Sequence, residues 1–65
     1  MKNQNIRITK IDADKNYIGE AISPNGKKWN VSHIDNKEIV LGEFYTCINI
    51  EGLNLIISEK ETENI

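Results

Sequence analysis

Cys47 is the only cysteine in this 65-residue chain, so no internal disulfide can staple it. A lone thiol fits a reducing compartment. One cysteine and one histidine, His33, also exclude a structural zinc site of the usual four-ligand kind. No apolar run approaches the roughly 20 residues needed to span a membrane, and the opening Met1-Lys2-Asn3-Gln4-Asn5 leads into no signal-peptide core. Aromatic side chains are few: Tyr17, Trp29, Phe44 and Tyr45. A basic excess is missing too. The net charge is −2, and residues 1–50 balance seven Lys/Arg against six Asp/Glu. Lys60 then faces Glu51, Glu59, Glu61 and Glu63, so the body is near neutral and the tail acidic. Phosphate neutralisation supplies most of the affinity of nucleic-acid binders, so this charge balance argues against one.

What is present is a series of short alternating segments with glycine at the sharp changes of direction. Ile6 and Ile8 share one face of a half-buried strand. Asp12 to Asn16 is a polar turn region. Tyr17 to Ser23 reads as a second strand, with Ile18 and Ile22 inward and the small Gly19 and Ala21 on the other face. Ser23-Pro24-Asn25-Gly26 is the strongest local signal, because proline presets φ and glycine accepts the left-handed geometry that closes the turn. Lys27 to Ile34 follows, with Trp29 and Val31 inward. Gly42 separates Ile39-Val40-Leu41 from Phe44 to Ile50, where Phe44, Thr46, Ile48 and Ile50 share the expected inner face and Cys47 the outer one. Glu51-Gly52 turns the chain into Leu55 and Ile57.

No segment carries a helical stripe, and residues 35–42 leave room for one helical turn at most. Five short strands argue for a closed or nearly closed barrel, which removes exposed edges. OB-like and SH3-like barrels both fit. The reading adopted is an all-β, five-stranded OB-like barrel over residues 6–58, with residues 1–5 and the acidic tail 59–65 disordered. Its expected core is Ile8, Ile18, Ile22, Trp29, Val31, Phe44, Ile48, Leu55 and Ile57.

No catalytic set emerges. His33 would need a nucleophile and an orienting acid, but Ser32 points to the opposite face of its strand. A half-exposed structural histidine is the favoured reading. Nothing cationic flanks Cys47 to activate it. Asp12-Ala13-Asp14 begins like a calcium loop, yet the glycine and terminal glutamate such a loop needs do not follow. The chain is therefore expected to be non-enzymatic, with no metal, cofactor or small-molecule ligand. Val40, Tyr45, Leu53 and Ile56 are apolar residues that the inward pattern leaves unused. Of these, Tyr45, Leu53 and Ile56 on the last hairpin are the candidate protein-contact surface.

The segment from Gly19 to Ser58 resembles the C-terminal soluble domain of NfeD-like membrane proteins. The resemblance rests on Gly19-x-Ala21, Pro24-x-Gly26, Trp29-x-Val31, Ile39-x-x-Gly42 and Gly52-x-x-Leu55-x-Ile57. These are fold-determining positions rather than catalytic ones. The family's arginine or leucine before the turn proline is Ser23 here. The resemblance implies an OB-fold domain attached to a membrane protein through segments absent from this chain. It also implies a cytoplasmic position, no insertion of this fragment itself, and a stomatin- or flotillin-like scaffold protein as partner. Longer relatives add a serine protease domain, of which these residues contain no part. The alternative function is a small OB-fold single-stranded nucleic-acid binder; the missing basic excess and aromatic cluster both count against nucleic acid as a partner.

Overall fold

The chain reverses where its turn chemistry lies. At Ser23–Gly26 the Gly26 amide donates to the Ser23 carbonyl at 2.8 Å, and Gly26 takes φ +85°, open to glycine at no steric cost. The Ser23 hydroxyl bonds to Asn25 Oδ1 and accepts from the Lys27 amide, so serine ties this turn together. The computed structural model describes residues 2–60. They form β1 (Asn5–Ile11), β2 (Ile18–Ile22), β3 (Lys28–His33), β4 (Phe44–Glu51) and β5 (Asn54–Glu59), and no helix is found among them.

Around the wall the order is β1-β2-β3-β5-β4, with β4 closing onto β1. A simple meander would pair β3 with β4. Here β5 lies between them, parallel to β3 and antiparallel to β4. This is the all-β, OB-like closed barrel that the sequence predicts, and closure leaves no strand edge free.

The interior is filled by Ile6 and Ile8 from β1, Ala21 from β2, Val31 from β3, Tyr45 and Cys47 from β4, and Leu55 and Ile57 from β5. Ile39, from the connection between β3 and β4, closes one end of the barrel without a helix. Its amide donates to the Asn16 carbonyl at 2.9 Å. Small residues line the inner side of β2 because there is no room for larger ones. A Cβ on Gly19 would lie 2.1 Å from the Lys10 carbonyl oxygen and 3.1 Å from Ile39 Cδ1.

Several expected positions are corrected by this arrangement. Ile8, Val31, Leu55 and Ile57 are buried as expected. Ile22 and Phe44 are exposed instead, and Ile18, Trp29 and Ile48 are only partly buried. On β2 the cause is volume: Gly19 and Ala21 face inward, so Ile18 and Ile22 face out. On β4 the cause is the register against β1; a separate irregularity in the pairing with β5 lies further along, between Cys47 and Asn49. Ile6 pairs with Tyr45, which places Tyr45 and then Cys47 inside. The Asn3 amide donates to the Cys47 carbonyl and the Cys47 amide to the Gln4 carbonyl, so residues 3–5 pair with β4 rather than fray. Residue 59 is the last of β5; residues 61–65 of the expected tail lie outside the described residues, as does residue 1.

Candidate functional site

The three residues of the expected contact surface separate. Tyr45 belongs to the interior, with only 8% of its surface exposed. Its hydroxyl accepts the Val40 amide at 3.0 Å, and its ring meets His33 edge-on at 6.3 Å. Its strand partners are Ile6 and Glu59, not Ile56. Leu53 stands at the tip of the β4–β5 hairpin, 64% exposed. Gly52 beside it takes φ +63°. Ile56 is half-buried on the outer face of β5, paired with Ser32 on one side and Asn49 on the other. A residue the alternation assigned to the core joins it: Ile50, opposite Leu55, is exposed near the tip. All five residues from Asn49 to Leu53 are exposed, while the Leu53 carbonyl accepts the Asn30 amide of neighbouring β3.

A second apolar group lies at the other end of β4, where Val40, Leu41 and Phe44 are exposed. Here the backbone is tied down. The Gly42 amide donates to the Ile8 carbonyl at 2.9 Å, and the Ile8 amide to the Glu43 carbonyl at 3.0 Å. The eight residues of β4 set the two groups roughly 23 Å apart at about 3.3 Å per residue.

His33 is buried rather than half-exposed. Its Nδ1 accepts the Asp35 amide at 3.0 Å, so that nitrogen carries no proton and Nε2–H donates to Glu59 Oε1 at 3.1 Å. Both ring nitrogens are thus committed to holding β3, its following turn and the end of β5 together. The Glu59 carboxyl is held below its ordinary range, first by its own backbone amide and then by His33 and Lys37. Lys37 Nζ stands 3.9 Å from the same Glu59 oxygen. Cys47 is fully buried on the inner wall, and that burial pushes its thiol up. Asp12 Oδ2 accepts the amides of Asp14 and Lys15, both at 3.0 Å, which makes this segment an Asx turn. Among the described residues no group of three or more His, Cys, Asp or Glu is placed to hold a metal ion.

The outer face of β2 and β3 presents Ile18, Glu20, Ile22, Lys28, Asn30 and Ser32, with no aromatic ring for a base to stack on. A shallow cavity of about 140 Å³ opens there between Lys10, Asp12, Glu20 and Asn30, floored by Gly19. Its charges are of both signs, and Glu20 is engaged by Lys28 at 3.7 Å. No family model, no curated protein and no solved structure matches the chain.

Proposed function

We propose that this chain is a non-enzymatic protein-interaction domain. We read it as the soluble part of an NfeD-like membrane-anchored protein that works with a stomatin- or flotillin-like scaffold. The observation that carries the reading is the β4–β5 tip: Leu53 and Ile50 are exposed there, with Ile56 half-buried nearby. Desolvated apolar anchors supply most binding energy, and an exposed leucine at a hairpin tip can enter a partner's pocket. The glycine and turn positions behind the family resemblance do structural work in the barrel, which supports the OB-domain part of the reading. The aromatic-free outer face of β2 and β3 favours a protein partner over single-stranded nucleic acid.

The test is binding of the chain to a purified stomatin- or flotillin-like partner, wild type against Leu53→Asp. At least tenfold weaker binding with an unchanged melting temperature is expected. Equal binding by the two proteins overturns the surface. The anchored reading is tested separately by the full gene product, which should carry apolar spans of about 20 residues.

A further inference from the structure

The reversal between β2 and β3 carries a chemistry of its own. Asn25 is one of nine asparagines and the one that precedes a glycine. It is exposed, as are Pro24, Gly26 and Lys27 around it. Its side-chain carbonyl Oδ1 accepts the Lys27 amide at 3.3 Å and the Ser23 hydroxyl. The bond to Lys27 spans Gly26, so the side chain lies folded forward over the Gly26 amide. A Cβ on Gly26 would meet nothing within 4 Å, and open space surrounds that residue. The other eight asparagines each precede a residue whose side chain crowds the approach to its own nitrogen. One bond holds the Gly26 nitrogen back, from its N–H to the Ser23 carbonyl at 2.8 Å. It belongs to an exposed turn, the class of structure that opens locally at least cost.

We propose that Asn25 is a self-modification site, converting without an enzyme to aspartate and isoaspartate. The Gly26 amide nitrogen loses its proton to water or hydroxide and attacks Asn25 Cγ, forming an N–Cγ bond. The charge pushed onto Oδ1 meets the Lys27 amide and the Ser23 hydroxyl, donors already aimed at that oxygen. Collapse of this intermediate breaks the Cγ–Nδ2 bond, and Nδ2 leaves as ammonia with a proton from water. The cyclic succinimide that remains is opened by a water molecule. Attack at Cγ gives aspartate; attack at the Asn25 main-chain carbonyl gives isoaspartate, whose backbone runs through the former side chain. The balance is one water consumed and one ammonia released. Aspartate keeps the backbone of the turn and adds a negative charge beside Lys27 and Lys28. Isoaspartate lengthens the main chain by a methylene inside the loop closed by two bonds: the Gly26 amide to the Ser23 carbonyl, and the Ser23 amide to the Lys27 carbonyl at 2.9 Å. The Ile22–Lys28 pair of the β2–β3 ladder lies immediately beyond, so the second product loosens that end of the hairpin. The inference is independent of the protein-contact tip.

The experiment is prolonged incubation of the folded 65-residue chain in neutral and mildly alkaline buffer, followed by site-resolved mass spectrometry of its proteolytic fragments. Position 25 should gain the mass difference between NH2 and OH at least about tenfold faster than any other asparagine, a barrier difference of about 1.4 kcal/mol. The rate should rise with pH, because the nitrogen attacks after losing its proton. Both products are expected, isoaspartate being counted by label from an isoaspartate-specific methyltransferase. Asn25→Gln should abolish the gain at this position. Asn25→Asp should take up no methyl label at the start of incubation and should melt like the separated aspartyl product, whereas the separated isoaspartyl product should melt lower. Equal rates at Asn25 and the other asparagines overturn the proposal. Aspartate formed without isoaspartate overturns the cyclic route. Conversion in urea-unfolded chain with none in the folded chain also overturns it, since the folded turn would then protect Asn25.

Discussion

The two ends of β4 expose similar apolar surface and differ in what holds them. At the Phe44 end, the Val40–Glu43 turn is bound to β1 through two backbone hydrogen bonds and to the Tyr45 hydroxyl through a third. Ile39, just before it, is fully buried. At the Glu51 end, the Asn30 amide donating to the Leu53 carbonyl at 3.1 Å is the cross-link from hairpin tip to neighbouring wall. The first end therefore stabilises the barrel as well as presenting surface, whereas the tip mainly presents surface. An exposed side chain shows where contact is possible; what lies beneath it decides whether a substitution is read as lost binding or lost fold.

Substitutions along β4 and its flanks should separate these roles. The largest effect is expected from Ile39→Ala at the tied end, about 2–5 kcal/mol from lost burial and a cavity. That approaches the whole stability of a domain this small, so the urea midpoint should collapse or the chain should fail to fold. Gly19→Ala, where the new methyl meets the Lys10 carbonyl beneath Ile39, should cost about 1–3 kcal/mol in the same urea titration, the range for overpacking. Tyr45→Phe keeps the ring and removes the acceptor of the Val40 amide, for about 1 kcal/mol. Leu53→Asp should move stability by less than about 0.5 kcal/mol in thermal melting, since the tip is exposed.

The smallest effect is a change in pH dependence. The Glu59 carboxyl is lowered in the fold, so the unfolded chain binds its proton more readily. Glu59 therefore contributes stability above its unfolded value of 4.5, and that contribution is lost as pH falls through the lower folded value. Glu59→Gln should flatten the acid limb of a stability–pH curve and leave the slope above pH 6 unchanged; an unaltered acid limb would remove Glu59 from this account.

The fold class was legible because turn chemistry and closure are local or topological: Pro24 and Gly26 announce one reversal, Gly52 another, and five short strands leave little but a barrel. The inner face was legible wherever strict alternation held, as for Ile8, Val31, Leu55 and Ile57. It failed on β2, where hydropathy favours Ile18 and Ile22 inside but the available volume admits only Gly19 and Ala21. On β4 the register against β1, which a pattern of period two does not reveal, put Tyr45 and Cys47 inside in place of Phe44. Of the candidate surface, Leu53 is exposed at the turn tip after Gly52, whereas Tyr45 depended on register and lies inside. Ile39 could not be assigned a face, because it sits in a connection with no period at all.

Synthesis order meets a peculiarity of this wall. The last of the five strands in chain order, β5, is seated between β3 and β4, both made before it. Without residues 54–59, β3 and β4 would each be left with an unpaired edge. The barrel is thus closed by its last-emerging strand, which acts as a keystone. A chain that stops short of Asn54 is not a slightly smaller barrel; it is an open sheet with two adhesive edges, prone to pair with its own copies.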